Sequence, residues 1–151
     1  MDLYELERFL LTARERSALG QGHRLPPERP GAVEIVYREG GLAYRDSYFG
    51  QSQLVGQEVV RRAGTVAWAM NYLVVIELPP VVGEELAPFL QRAQQSRYRE
   101  RRLLGPYTFQ ERALRYEDRT EGTLDLFQGE TVVLFNGAPI FRMPYGGGLV
   151  R

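Results

Sequence analysis

Two stretches of seventeen residues in this chain resemble each other, and this repeat constrains the fold more than any other feature. Residues 56–72 read GQEVVRRAGTVAWAMNY, and residues 129–145 read GETVVLFNGAPIFRMPY. Aligned without a gap at an offset of 73 residues, the copies share two glycines, a Val-Val pair, a methionine and the final tyrosine. Apolar alternation on both sides of a glycine is typical of a β-hairpin. The sequence therefore predicts a duplicated hairpin.

Helical periodicity in two other segments extends the repeat. Asp2 is placed to cap a first helix, which Gly20 and Gly22 should end. A second helix is expected from about Glu84 to Arg99. Both helices carry the pattern Phe-Leu-x-x-Ala, in residues 9–13 and 89–93 at an offset of 80 residues. The apolar stripe of the first helix consists of Leu3, Leu6, Phe9, Leu10 and Ala13.

Strands are predicted wherever the apolar period is two. The loop His23–Gly31 is too rich in proline for a helix or a central strand. In the first half we expect strands from Val33, at Leu42–Phe49, Gln53–Arg62 and Thr65–Glu77. In the second half we expect strands near Tyr107–Tyr116, Leu124–Phe127, Glu130–Phe135 and Ala138–Tyr145, with turns at Glu121-Gly122, Gln128-Gly129 and Asn136-Gly137.

These elements predict an α+β fold in which two helices pack on an antiparallel sheet. Each half, at about residues 1–78 and 83–151, consists of a helix and about four strands, which implies an internal pseudo-twofold repeat. We expect a single domain over residues 1–151, since each half alone has too little core.

The composition excludes several kinds of chemistry. The chain contains no cysteine and only one histidine, His23, so disulfides, thiol nucleophiles and histidine metal clusters are not expected. All 19 basic residues are arginine, which removes Schiff-base chemistry. We predict no cofactor and no metal. The missing cysteine and the scarcity of asparagine are consistent with a thermophilic source.

Charge and hydropathy predict location and partners. No apolar run is long enough to cross a membrane, and the acidic N-terminus does not resemble a signal peptide, so we expect a cytoplasmic protein. The net charge is zero, which argues against a nucleic-acid partner. The one basic cluster is interpreted as a solvated helix end and consists of Arg92, Arg97, Arg99, Arg101 and Arg102.

Several motifs resemble an uncharacterised bacterial family, the domain of unknown function 5680. They are RPGAVEIVY, LAYRDSYFG, GQEVV and WAMNY, with Gly105-Pro106 and the glycines after Tyr145. The resemblance brings no catalytic residues. Some relatives carry the domain after a helix-turn-helix, which implies ligand sensing by association only.

Asp46 is the first candidate for a functional residue. As a strand residue it shares one face with Leu42, Tyr44 and Tyr48, so two aromatic rings flank a carboxylate. In a functional interpretation it is a pocket acid, or an anchor for a cationic or hydroxylated ligand. In a structural interpretation it forms an Asp–Tyr or Asp–Arg pair that joins strands, and the structural one is favoured.

The duplicated aromatic strand supplies the other candidates. Trp68 and Tyr72 lie on its large face, which is either core or a stacking surface for a ligand, and core is favoured. Asn71 either bridges backbone groups or contacts a ligand. The predicted ligand-binding residues are Tyr44, Asp46, Tyr48, Trp68, Asn71 and Tyr72.

Three functions follow from these residues. The leading hypothesis is a non-enzymatic, cytoplasmic ligand-sensing or protein-interaction module that binds a small molecule between the two halves. The second is an enzyme that uses Asp46 and Glu58 for acid/base chemistry, which requires both carboxyls to face one cavity. The third is a purely structural homodimer.

Overall fold

Two helices and one long antiparallel sheet make up the part of the chain that the structure, a computed structural model, describes: residues 1–18 and 22–151. The helices are α1 (Leu3–Ala18) and α2 (Leu86–Arg99), and a short 3-10 turn, Gly83–Glu85, precedes α2. The strands are β1 (His23–Leu25), β2 (Val33–Glu39), β3 (Leu42–Gly50), β4 (Gln53–Arg62), β5 (Thr65–Ile76), β6 (Tyr107–Glu111), β7 (Leu114–Thr123), β8 (Leu126–Phe135) and β9 (Ala138–Leu149).

The sheet order is β1-β2-β3-β4-β5-β9-β8-β7-β6, and every neighbouring pair is antiparallel. The two halves of the chain therefore meet at the pair β5–β9 in the middle of the sheet. This central pair runs from Trp68 opposite Leu149, through Tyr72 opposite Tyr145, to Ile76 opposite Phe141. The predicted α+β class with two helices on an antiparallel sheet is confirmed.

The helices cover one face of the sheet and contact each other. α1 packs on β2 and β3, and α2 packs on β6 and β7. In each case a helix phenylalanine meets a ring of the outer strands. The ring centroids of Phe9 and Tyr37 are 6.0 Å apart, and those of Phe89 and Phe109 are 5.8 Å apart. Asp2 caps α1 as predicted, because its Oδ1 accepts a hydrogen bond from the Tyr4 amide at 3.1 Å.

Two hydrophobic clusters lie under the helices. The first gathers α1, Trp68 and Met70, and the second gathers α2 with Phe89 and Phe141. Tyr72 and Met143 pack against both clusters. The middle of the sheet is therefore the place where the two cores join, and any gap between them opens over β5 and β9.

Some predicted boundaries were wrong. His23–Leu25 is a strand and not a loop, because an edge strand pairs on one side only and tolerates the prolines that follow it. Tyr107–Tyr116 is two strands separated by a turn at Arg112, whose φ is 54°. Gln128-Gly129 lies inside β8 and not in a turn. Glu121-Gly122 lies inside β7, since the chain turns at residues 124–125.

Two further predictions concern the helix ends. α2 begins at Leu86, two residues after the predicted start, with Pro88 in its first turn. The predicted end of α1 at Gly20 lies outside the described residues. No helix in the described part of the chain is both long and apolar enough to cross a membrane.

Candidate functional site

A cavity of about 480 Å³ lies between the helices and the central strands, and we call it the central cavity. Its floor is formed by inward-facing side chains of β3, β4, β5, β7, β8 and β9, with Tyr72 and Tyr145 at the centre. Its roof is α2, which contributes Leu90 and Gln94, and α1 adds Arg14 at one end. Most of the lining is aliphatic, aromatic or thioether, so the few charged groups stand out.

Asp46 and Glu58 are the acidic groups of the central cavity. They are direct cross-strand partners on β3 and β4, so both carboxyls project from the same face of the sheet. The Tyr72 hydroxyl donates a hydrogen bond to Oδ1 of Asp46 at 2.7 Å. This is the Asp–Tyr pair that the structural interpretation predicted. Among the described residues, no other side-chain hydrogen bond to the Asp46 carboxyl is found.

Burial and the nearby Glu58 carboxylate raise the pKa of Asp46 to about 7, although the Tyr72 hydroxyl and Arg14 oppose the rise. Burial and the charge of Asp46 raise the pKa of Tyr72 as well. Asp46 therefore exchanges a proton near neutral pH while Tyr72 remains a hydroxyl donor.

Glu58 is held by Arg14 of α1. Nη2 of Arg14 lies 2.7 Å from Oε2 of Glu58, and its Nε also donates to that oxygen at 3.0 Å. Arg14 in addition contacts Sδ of Met70 at 3.5 Å. The ion pair ties α1 to β4, and it leaves Asp46 without a cation of its own.

Asp118 of β7 is the counterpart of Asp46 on the other side of the central pair. It accepts hydrogen bonds from the hydroxyls of Tyr145, Thr120 and Thr131 at 2.6 to 3.1 Å. Arg97 of α2 forms an ion pair with it at 3.1 Å, and both side chains are buried. Asp118 therefore has a cationic partner and three hydroxyl donors, whereas Asp46 has one tyrosine hydroxyl and a carboxylate neighbour.

Arg97 is held entirely by the protein. Its guanidinium donates to the carbonyls of Arg102 and Leu103, to the hydroxyl of Tyr116 and to Asp118. Four of its five N–H donors therefore make hydrogen bonds, and Nη1 also lies 3.1 Å from Oδ2 of Asp118. The prediction that Arg97 belongs to a solvated helix end was wrong, because it lies on the buried stripe one turn after Ala93.

The predicted ligand-binding residues lie in three places. Asp46, Tyr48 and Tyr72 line the central cavity. Tyr44 and Trp68 are buried in the first cluster beside it. The Trp68 indole N–H has no hydrogen-bond partner among the described residues, and its ring stacks on Phe127, which does line the cavity.

Asn71 lies on the opposite, open face of β5. Its Oδ1 accepts a hydrogen bond from Nε2 of Gln57 at 2.8 Å, so it is part of a cross-strand amide pair away from the central cavity. The sequence left two roles for Asn71, bridging backbone groups or contacting a ligand. Its position fits a bridge within the sheet, but the group that it bonds is the Gln57 side chain and not the backbone.

Several cavity residues were not among those predicted to bind ligand. Arg14 and Gln94 come from the helices, and Phe141, Met143 and Tyr145 come from β9. The repeat itself carried the signal for the last three, since they match Trp68, Met70 and Tyr72 at the 73-residue offset. The sequence around Arg14 does not identify it as a cavity residue. It directly follows the apolar stripe of α1, and its side chain is directed into the cavity by the ion pair with Glu58.

The described residues form no candidate metal site. Within residues 1–18 and 22–151, no group of three or more His, Asp or Glu side chains is arranged to hold an ion. The one histidine, His23, is exposed on β1.

Comparison with protein families gives one match. The sequence model of the family described as "Domain of unknown function (DUF5680)" matches residues 46–150. The chain belongs to this family. The match starts at Asp46 and includes every residue of the central cavity except Arg14, so the DUF5680 domain contains nearly the whole candidate site. No curated protein and no solved structure matches the chain.

Proposed function

We propose that this DUF5680 domain is a binding module that senses a small molecule in its central cavity. One observation carries the proposal: Asp46 is a carboxyl group of the cavity with no cation of its own, in a lining that is otherwise largely apolar. An unneutralised acid inside a protein costs free energy, which the fold could have avoided as it does at Asp118. A ligand that contacts Asp46 would recover that free energy.

The size and lining of the cavity support the same proposal. A volume of about 480 Å³ falls within the range of roughly 300 to 1,000 Å³ that is usual for small-molecule sites. Aromatic floors with a few polar groups are typical of such sites. Met70 and Met143 give the floor flexible side chains that adapt to a ligand's shape.

A fragment screen observed by two-dimensional NMR tests this function. We expect hits to shift the amide signals of residues that line the central cavity. Leu90→Trp places a bulky ring in the roof and should abolish these shifts. Leu126→Trp is the matched control, since Leu126 is 75% exposed, and it should leave them unchanged. Hits that persist in Leu90→Trp, or that map to the open face of the sheet, would contradict the proposal.

A second candidate function is acid/base catalysis by Asp46 and Glu58. It is favoured by their position, because both carboxyls line the same cavity from adjacent strands. Their environments differ in the way that acid/base pairs require: Glu58 has Arg14, and Asp46 holds its proton near pH 7. Incubating each confirmed binder with the protein and following its NMR spectrum would reveal turnover, which Asp46→Asn and Glu58→Gln should each abolish.

We also propose that the two halves are an internal repeat related by a pseudo-twofold axis through the central strand pair. Gly56 lies opposite Tyr72, and Gly129 lies opposite Tyr145, at the same offset of 73 residues. β2–β5 and β6–β9 lie in mirrored order about the central pair, and each set carries one helix.

The homodimer, the cytoplasmic location and the thermophilic source stay predictions. Light scattering tests the homodimer.

A further inference from the structure

The charges around the central cavity can be paired one by one. Arg14 forms an ion pair with Glu58, and Arg97 forms one with Asp118, which lies behind the cavity wall. Asp46 is left over. When it is ionised, the set has a net charge of minus one, and its cross-strand partner on β4, Glu58, is another acid.

The two arginines are poorly placed to bind an anion. Arg97 makes four hydrogen bonds to protein acceptors and an ion pair with Asp118. Arg14 directs its Nε and Nη2 to Glu58. An anionic ligand would have to displace a buried ion pair or lie beside two carboxyls, and both are costly.

Aromatic rings flank Asp46. Tyr48 is two residues away on the same strand and therefore on the same face, and Tyr72 donates its hydroxyl to Asp46 from β5. The faces of tyrosine rings attract organic cations. A carboxylate between two such rings, with a mostly apolar cavity beyond it, is a chemical match for a positively charged head on an apolar body.

We propose, on the basis of the binding function proposed above, that the ligand of the central cavity is a monovalent organic cation, a protonated amine or a quaternary ammonium. Its charge lies against Asp46 between Tyr48 and Tyr72, and its apolar part extends over Met70, Met143 and Phe141 under α2. The ligand cation would pair with Asp46 as Arg97 pairs with Asp118 in the other half.

Three probes of similar shape test this class: phenethylamine, 2-phenylethanol and phenylacetate, titrated by calorimetry at pH 8. We expect the amine to bind about tenfold more tightly than the alcohol, as is usual for a charge-assisted hydrogen bond, and the acid to bind most weakly. Asp46→Asn should bring the amine and the alcohol to equal affinity. Asp125→Asn, which changes an exposed carboxylate paired with Arg151, should leave the preference intact.

A second measurement on the unmodified protein avoids any dependence on a variant that folds poorly. Asp46 is faced by Glu58 of β4, Tyr72 of β5 and Arg14 of α1, while α2 brings Arg97 and Tyr98 to the same cavity. Of these groups Asp46 changes charge near pH 7, so affinity for the amine should rise from pH 6 to pH 8 while affinity for the alcohol stays constant.

The outcomes separate this inference from the binding function itself. Tightest binding by the alcohol or the acid, a preference for the amine that survives in Asp46→Asn, or no amine binding at millimolar concentration overturns the cation class. The binding function falls only if the fragment screen finds no cavity ligand of any class.

Discussion

Asp46 and Asp118 each accept a hydrogen bond from a tyrosine of the central strand pair, yet they differ in charge balance. Asp118 has Arg97 and three hydroxyl donors, and Asp46 has Tyr72 alone together with the neighbouring Glu58. A carboxyl whose environment only completes the fold is expected to resemble Asp118. The incomplete environment of Asp46 is therefore the best indication of function at the level of single residues.

The stability of the protein should depend on pH through Asp46. Its pKa is about 7 in the folded protein, against 3.8 for an unperturbed carboxyl, so the folded state holds the extra proton between these values. Stability therefore falls as the pH rises from about 4 to about 7, by roughly 2 to 4 kcal/mol. Urea denaturation between pH 4 and pH 8 measures this, and Asp46→Asn should remove the decline. An equal decline in the variant would assign it to another group.

Asp118→Asn should destabilise the folded protein, whereas Asp46→Asn should not. The Asp118→Asn change leaves Arg97 buried without its counter-ion, which typically costs about 3 to 5 kcal/mol. Asp46→Asn is the matched variant and should be neutral or stabilising at pH 8, because it removes a buried charge that has no cation. Chemical denaturation at pH 8 compares the two. Equal destabilisation would mean that Asp46 is as structural as Asp118.

The sequence located part of the site. Strand periodicity and flanking rings brought Asp46, Tyr48 and Tyr72 together correctly, because side chains two apart on a strand share a face. It did not locate Arg14, since a residue just after an apolar helix stripe is indistinguishable from a solvated one until Glu58 is brought opposite. Whether these residues bind a ligand stays a prediction.

At the level of elements, a glycine that the sequence predicts as a turn instead makes room for an aromatic ring. Gly129 was predicted to mark a turn, but β8 continues through it, because the ring of Tyr145 occupies the space of its missing side chain. Gly56 of β4 makes the same room for Tyr72. The missed turn at Arg112 has a left-handed φ of 54° without a glycine or asparagine to signal it. A local sequence pattern shows that a glycine can adopt a turn conformation, but it does not show which side chain packs over that glycine in the sheet.

Adding a methyl group at Gly56 or at Gly129 should affect stability and ligand binding differently in the two halves. Gly56→Ala would overlap the Tyr72 ring, which can rotate away, so we expect about 1 to 3 kcal/mol of destabilisation and loss of the Tyr72–Asp46 hydrogen bond. Gly129→Ala would overlap both Tyr145 and the backbone oxygen of Arg119, so it should destabilise more.

Thermal denaturation and cavity-ligand titration check this pair, with Gly41→Ala as the control because its added methyl meets open space. Reduced ligand affinity in Gly56→Ala at a small stability cost is the expected result. If Gly56→Ala binds ligand normally, the Tyr72 ring is not part of the binding surface.

At the scale of the whole molecule, the candidate site belongs to neither half. β3 and β4 supply the acids, β5 supplies Tyr72, β9 supplies Phe141, Met143 and Tyr145, and α2 covers them. Sequence periodicity within each half predicted the helices and most strands, but it does not contain the pairing of β5 with β9 that encloses the cavity. That pairing depends on contacts across the chain, which explains why the cavity could not be outlined from local patterns.

The last prediction is that the halves do not fold apart, which tests the single domain expected over residues 1–151. In fragment 1–78 the β5 edge would be unpaired. Trp68 and Met70 would also lose their packing partners Phe127 and Leu149. We expect fragments 1–78 and 83–151 each to give the circular dichroism and amide NMR spectra of unfolded or aggregated chains, and an equimolar mixture to recover dispersed signals. The intact chain should unfold in one transition that is the same by fluorescence of Trp68 and by circular dichroism. A fragment that is folded and monomeric alone, or two separate transitions in the intact chain, would mean that the halves are independent domains and that the central cavity is an interface between them.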